Sequence, residues 1–267
     1  MRYSYVTTKI RPERLDSMGL KHAESNSNSE QDTPADKLTF SVIIPVLNEQ
    51  QNINSVIEHV KNQAASSQCE IIVVDGDSDG STIKAIQADS ATSVTAQKGR
   101  AWQLNAGAEI AKGQILLFLH ADTKLPPNAF DKISEVMANP KYVAGAFDIG
   151  VDSDRFSIKL IAARSRIRSH VTRVPYGDQA IFIRKKYFDK IGRFKEIPLL
   201  EDVDLMVRIR KKGDKIRILR NQVSTSARRW EREGVLYTTL RNLVVVTLYR
   251  FGVSPEKLAK YYKAHSK

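Results

Sequence analysis

From Leu38 the run Leu-Thr-Phe-Ser-Val-Ile-Ile-Pro-Val is β-branched and apolar on successive residues, the pattern of a strand buried on both faces. After Asn48-Glu49, the residues Ile53, Val56, Ile57 and Val60 recur at helical spacing. A second cycle follows: Cys69–Asp75 reads as a strand, then a Gly/Asp/Ser turn, then a helix through Ile83 and Ile86. A third runs through a helical Trp102–Ala111 and the strand Gln114–His120. Repeated β–loop–α units predict an α/β fold with a mainly parallel sheet covered by helices on both faces.

The second half changes character. Tyr142–Val151 alternates as a strand, and Phe156–Val171 reads as a basic helix with Ile158, Ile161 and Ala162 on one face. Ala180–Ile183 is a further strand, and Leu205–Lys211 a short helix behind an acidic cluster. The polar stretch before Leu38 has no sustained periodicity and predicts a disordered extension over residues 1–37. A folded domain over 38–233 and basic amphipathic helices over 234–267 complete the division. No repeat is visible, and no window of 18 residues is free of charge, which argues against a transmembrane helix.

The charge balance alters this picture. The chain carries 42 Lys+Arg against 30 Asp+Glu over 267 residues, a formal net charge of +12. Of these, 16 basic and 4 acidic residues lie from Leu205 onward, so the first 204 residues are balanced. The excess belongs to the C-terminal part, with a second cluster over Arg155–Arg173. Its candidate partners are nucleic acid, an anionic membrane surface or a phosphorylated substrate. The single cysteine, Cys69, excludes an intrachain disulfide. With no apolar leader pattern at the start, the expected location is a reducing cytoplasm.

Ligands of open α/β sheets sit outside the carboxyl ends of the strands. Here those ends carry Pro45/Asn48/Glu49, then Asp75/Asp77/Asp79, then His120/Asp122. A Gly-x-Gly-x-x-Gly turn and a Walker A loop are both missing, which excludes the usual dinucleotide and P-loop sites. Asp75-Gly-Asp-Ser-Asp-Gly80 begins like a calcium loop, but its twelfth position is Ile86 rather than Glu, and a strand precedes it. Asx capping explains Asp79 and Ser81. Asp75, directly after four apolar residues, is placed to accept a hydrogen bond from a ligand N–H such as a base edge. His120 and Asp122, two apart at a strand end, suit a divalent cation that keeps positions open for phosphate oxygens. Spacing alone equally allows Asp122 as a turn cap and His120 as a sheet-edge residue.

Four spaced segments carry a family resemblance. Ser41-Val-Ile-Ile-Pro-Val-Leu-Asn-Glu49, Ile72-Val-Val-Asp-Gly-Asp-Ser-Asp-Gly-Ser81, Leu104-Asn-Ala-Gly107 and Leu117-Phe-Leu-His-Ala-Asp-Thr123 resemble, in this order, family 2 glycosyltransferases. The nearest likeness is the bacterial selenodomain-associated transferase 2 subgroup. Tyr176-Gly-Asp-Gln179, Leu200-Glu-Asp-Val203 and Thr225-Ser-Ala-Arg-Arg-Trp230 also fit it. The resemblance implies a GT-A fold, a Rossmann-like α/β/α sandwich with a C-terminal helical extension. It also implies a nucleotide-sugar donor, by expectation a UDP-sugar, and a divalent cation.

Carried over by position, Pro45, Asn48, Glu49 and Asp77 border the nucleotide, Asp75 reads the base, and Asp122 holds the metal. His120 stands where the family's first Asp usually stands. One negative charge fewer should weaken Mg²⁺ and favour an imidazole-tolerant ion such as Mn²⁺. Lys98 and Arg100 are the candidate cations for the diphosphate. An acceptor hydroxyl needs a base as it attacks, and the resemblance gives that role to Asp202, in an inverting displacement. Glu201, Tyr176, Asp178 and Gln179 become acceptor-side candidates. Trp230 either stacks on a sugar or packs in the core.

From Val235 to Phe251 apolar residues repeat at three and four, flanked by Arg241 and Arg250. The helix either packs on the domain or lies on an anionic bilayer, which would make the protein peripheral on the inner membrane face and its acceptor lipid-like. Two other classes are a nucleotidyltransferase and a non-enzymatic nucleic-acid binder. The first lacks its Gly-rich basic loop at Pro45–Glu49. The acidic strand ends oppose the second, so no nucleic acid is expected.

Overall fold

The computed structural model describes residues 38–64, 67–87 and 91–260. The expected disordered extension over 1–37 lies outside the described residues. The chain runs β1 (Thr39–Val46), α1 (Ile53–Ala64), β2 (Gln68–Asp75), β3 (Thr92–Thr95), α2 (Arg100–Ile110), β4 (Ile115–Phe118), β5 (Thr123–Lys124) and α3 (Ala129–Met137). It continues with β6 (Tyr142–Asp152), α4 (Phe156–Thr172), β7 (Phe182–Arg184), α5 (Lys185–Lys190) and α6 (Glu201–Lys211). The last elements are β8 (Lys215–Ser226), α7 (Arg228–Glu233), α8 (Val235–Arg250) and α9 (Pro255–Ala259).

One sheet holds all the strands, in the order β3-β2-β1-β4-β7-β6-β8-β5. Strands β3, β2, β1 and β4 are mutually parallel, as are β6 and β8. Strand β7 runs antiparallel between β4 and β6, and β5 antiparallel on β8. The expected mainly parallel α/β sheet is present. Its apolar runs are buried on both faces. Ile43, Ile72 and Leu116 face α2 and α6, while Val42, Ile44, Val73 and Leu117 face α1 and α3.

Helix α2 lies close on the sheet because position 107 has no side chain. A Cβ there would stand 2.5 Å from Ile43 Cγ2 and 3.0 Å from Val74 Cγ2. Buried Gln103, also on α2, donates from Nε2 to the carbonyls of Val46 and Val74, both at 2.8 Å. It ties together the strand ends that border the site.

The expected helix through Ile83 and Ile86 is a single 3₁₀ turn, Ile83–Ala85. The Asp75 carboxylate accepts the amides of Thr82 and Ile83, and Asn54 Oδ1 accepts that of Gln87 at 3.0 Å. The chain is thereby returned to an extended path at Ile86. Helix α6 begins at Glu201, not Leu205, so the acidic cluster forms its first turn.

Helix α8 packs on the domain along one side, as one of its two expected placements requires. Thr238 and Val245 are buried, and Val246 and Tyr249 pack on the core. Leu236, Tyr237, Leu240, Leu243, Val244 and Leu248 on the same helix remain exposed. Neighbouring α4 adds exposed Phe156, Leu160, Ile167 and Val171. Among the described residues no helix is long and apolar enough to cross a membrane.

Candidate active site

Two cavities meet at the carboxyl ends of β1 and β4. The first, about 360 Å³, is bordered by Pro45, Glu49, Lys98, Arg100, His120 and Asp122. The second, about 180 Å³, is bordered by Tyr176, Asp178, Asp202, Trp230 and Asn242, and again by Arg100, His120 and Asp122. These last three form the seam between the two. The sequence expectation brought together most of these residues from six different segments.

The nucleotide-side loop is built by backbone capture. Asp75 is fully buried, and its carboxylate accepts the amides of Asp77 at 3.0 Å and Thr82 at 2.9 Å. Thr82 Oγ1 in turn accepts the Glu49 amide at 3.1 Å. Asp75 therefore shapes the loop and does not border the first cavity. Asp77 is half-buried and accepts the Asp79 amide at 3.2 Å. Asn48 adopts a left-handed backbone, φ 57°, which turns the chain from β1 toward α1. Glu49 then accepts from Asn52 Nδ2 at 2.7 Å.

Asp122 is positioned from both sides. Its carbonyl accepts the Ser226 amide at 3.1 Å, and the next residue, Thr123, meets Thr225 hydroxyl to hydroxyl at 3.1 Å. Strand β8 thus fixes the carboxylate that faces the seam. Among the described residues there is no group of three or more metal-ligating side chains. His120 and Asp122 suit a cation completed by phosphate oxygens, since one imidazole and one carboxylate leave most of a coordination shell open.

Asp202 sits in the first turn of α6. The residue before the helix, Leu200, is held at φ 67°, a costly conformation for a branched side chain. It swings the acidic turn toward the seam. The Asp202 carboxylate accepts the Val203 amide at 2.7 Å and the Gly177 amide. The loop passes close at Gly177: a Cβ there would lie 3.1 Å from His120 Nε2 and 3.3 Å from Asp202 Oδ2. Imidazole, loop and carboxylate converge on that point.

The neighbouring acids divide by partner. Glu201 is buried and paired with Arg100 at 2.9 Å. Burial raises its carboxyl, and the Arg100 guanidinium opposes the rise. Glu201 therefore holds a seam cation and does not border the second cavity. Asp204 is bound by Lys195 at 2.9 Å and Arg208 at 2.6 Å. Burial alone would raise it, but the hydrogen bonds from these two partners hold it below the usual carboxylate range. It is structural.

The acceptor-side loop is likewise split. Gln179 is buried: its Oε1 accepts from Ser169 Oγ at 2.8 Å and the Tyr176 amide at 3.1 Å, while Nε2 donates to the Phe147 carbonyl. These contacts make it a scaffold for the loop rather than part of the cavity wall. Tyr176 lies under the Arg168 guanidinium, 3.5 Å from the ring centroid. Asp178 Oδ1 is buried without a hydrogen-bond partner. Its pKa is pushed up to about 6, first by burial and then by the Asp202 carboxylate. Trp230 Nε1 and Asn242 Oδ1 are also buried without partners on the same wall.

Sequence reasoning missed Asn242, Arg168 and the β8 residues Thr225 and Ser226. Asn242 had a visible signal, an amide directly before the apolar run Leu243-Val-Val-Val246 of α8. Arg168 had none, because its neighbours are equally basic.

The chain resembles known proteins in sequence and in fold. The family model described as glycosyl transferase family 2 matches residues 41–195. A dolichol-phosphate mannosyltransferase of Pyrococcus furiosus is 32% identical over 113 residues, 40% of this chain. The matched segment spans only 32% of that relative. A mannosyltransferase of Pyrobaculum calidifontis, solved with GDP-mannose and Mn²⁺, shares the fold with a TM-score of 0.59 and 18% identity. That superposition covers 82% of this chain and 66% of the other. Glucosyl-3-phosphoglycerate synthase of Mycobacterium tuberculosis, solved with Mg²⁺ and UDP, gives 0.52 and 18%, over 69% and 70% of the two chains. Both structures support a GT-A architecture. Because the family model spans more than half of the sequence, the chain belongs to glycosyl transferase family 2.

Proposed function

We propose that the protein transfers a sugar from a nucleotide-diphosphate donor to an acceptor hydroxyl, with Asp202 as the base. The observation that carries this reading is the seam. Arg100, His120 and Asp122 border both cavities, so a donor in the first would present its sugar to Asp202 in the second. Lys98 and Arg100 would face the diphosphate. A divalent cation on His120 and Asp122, Mn²⁺ or Mg²⁺ as in the two solved relatives, would neutralise charge on the leaving diphosphate when bound. The chain's own residues do the rest. The Gly177 and Val203 amides aim the Asp202 carboxylate, which would take the hydroxyl proton. The attack forms the new glycosidic bond on the face opposite the departing diphosphate, and so inverts the anomeric carbon.

The test uses two variants. Asp202→Asn should lower kcat by about 10²–10⁴-fold while leaving donor Kd unchanged. Asp122→Ala should abolish donor-dependent thermal stabilisation in Mn²⁺. If both variants turn over at the wild-type rate, the site is misassigned.

The His120-Ala-Asp-Thr123 and Tyr176-Gly-Asp-Gln179 motifs support a reading, within the family, as a member of the selenodomain-associated transferase 2 subgroup. The acceptor reading is lipid-linked, supported by the named substrate of the Pyrococcus relative and by the exposed apolar residues of α8. Arg and Lys flanking such a helix favour the inner, anionic face of a membrane, at about 1 kcal/mol per basic residue near the surface. Cosedimentation with phosphatidylglycerol vesicles should therefore be strong at low ionic strength and weak at high. Its absence at low ionic strength would remove the membrane reading.

A further inference from the structure

We propose that a separate cavity between α4 and α8 binds the anionic group of a hydroxylated, phosphate-bearing acceptor. The acceptor's hydroxyl then reaches inward to Asp202. This outer cavity, about 180 Å³, shares Tyr176, Asp178, Trp230, Asn242 and Val246 with the inner one, so the two form a continuous path. The shared wall holds the buried, partnerless Asp178 Oδ1, Trp230 Nε1 and Asn242 Oδ1. An N–H donor beside two oxygens complements a hydroxyl, which both donates and accepts.

The outer end has the opposite character. Arg164, Arg168 and Arg250 border it, against Asp178 as its one acid. Arg168 is fixed, donating to the Val174 carbonyl at 2.7 Å and Ser169 Oγ at 3.2 Å, and stacked on Tyr176. Arg164 and Arg250 are exposed and make no hydrogen bond or ion pair with the described residues. Two forked guanidiniums that border the same cavity as a third, preorganised one suit a phosphate oxyanion. Leu243 and Ile161 border the same opening, and the exposed apolar residues of α4 and α8 continue outward from it. An acceptor with an apolar body can lie along that surface. Which end of the acceptor points inward rests on the reading of Asp202 as base; the anion site does not.

The test measures binding of four probes by intrinsic fluorescence. These are 1-dodecanoylglycerol 3-phosphate, neutral 1-dodecanoylglycerol, glycerol 3-phosphate and dodecyl phosphate. The phosphorylated amphiphile should bind at least about tenfold more tightly than the neutral one. The double variant Arg164→Glu, Arg250→Glu should erase that advantage, and its unchanged melting temperature would show that the fold is intact. Trp230→Phe should reduce the preference for the hydroxylated probe over dodecyl phosphate. Equal binding of glycerol 3-phosphate would support the site and assign it to a soluble phosphate ester; much weaker binding would support a membrane source. Equal affinity for the neutral amphiphile, or no effect of the double variant, overturns the proposal. Nucleotide-diphosphate binding, measured on the same samples, reports separately on the glycosyltransferase reading and should be unaffected by the arginine changes.

Discussion

Asp178→Asn should stabilise the protein at neutral pH, and the size of the gain follows from the carboxyl's surroundings. Burial and the nearby Asp202 carboxylate push the Asp178 pKa up to about 6, from an ordinary value of 3.8. The native carboxyl keeps its proton up to about pH 6, while the unfolded chain releases it near 3.8. Over that interval the native state binds more protons, so this group's contribution to stability falls as pH rises and levels off above about 6. The gap corresponds to about 3 kcal/mol at most. Asparagine fills the same volume and does not titrate. The variant should therefore gain on the wild type between pH 4 and 7, by up to about 3 kcal/mol, or roughly 5–10 °C in Tm for a domain of this size. Urea unfolding in chelator, followed by far-ultraviolet circular dichroism at several pH values, measures the difference directly. A difference between variant and wild type that stays constant across pH would refute the reasoning, because it would mean the carboxyl titrates at its ordinary pKa.

Other perturbations separate scaffold from chemistry. Gly177→Ala would push a methyl against His120 Nε2 and Asp202 Oδ2. It should lower kcat by about tenfold or more with little change in Tm, since both neighbours can give slightly; steady-state kinetics beside a melting curve would show it. Asp204→Asn should cost about 1–3 kcal/mol at pH 7 by removing the charge partner of Lys195 and Arg208. That group's native pKa lies below its unfolded value, so its stabilisation holds above about pH 4 and fades as pH falls through the native pKa. Denaturant titrations at pH 7 and pH 3 should show the Asp204→Asn deficit shrinking, the reverse of the trend at Asp178.

The first half of the fold was legible because its strands are apolar on both faces and its turns are marked by Asn, Gly and Asp. Ile43, Ile72 and Leu116 have no exposed side to interrupt the pattern. The same rule hid β3, a four-residue edge strand that is mostly exposed. Strand β8 was hidden for another reason. It alternates at Ile216, Ile218 and Val223, but a register irregularity against β6 between Phe147 and Asp148 breaks the period of two. Among the candidate site residues, position at a strand end was the informative signal: it singled out Glu49, His120 and Asp122, which border the first cavity. Residue type could not tell Asp178 from Gln179. Only the geometry shows that one faces the cavity with a partnerless oxygen while the other is bonded throughout the loop.

The location of the positive charge bears on how the two substrates would be kept apart. Donor-side cations are few, and Arg100 is already engaged by Glu201. The basic surplus lies instead on α4 and in the C-terminal part, where Arg164, Arg168 and Arg250 border the outer cavity. A nucleotide diphosphate drawn to that surplus would meet the shared wall of Tyr176, Asp178 and Trp230 before reaching Asp122. The Asp178 carboxylate, ionised above about pH 6, would repel it there. A ligand with one anionic group can leave that group among the arginines and send only a hydroxyl past Asp178. The acid that costs stability in the empty protein would thus act as a filter, admitting the neutral end of an acceptor and turning back a second diphosphate.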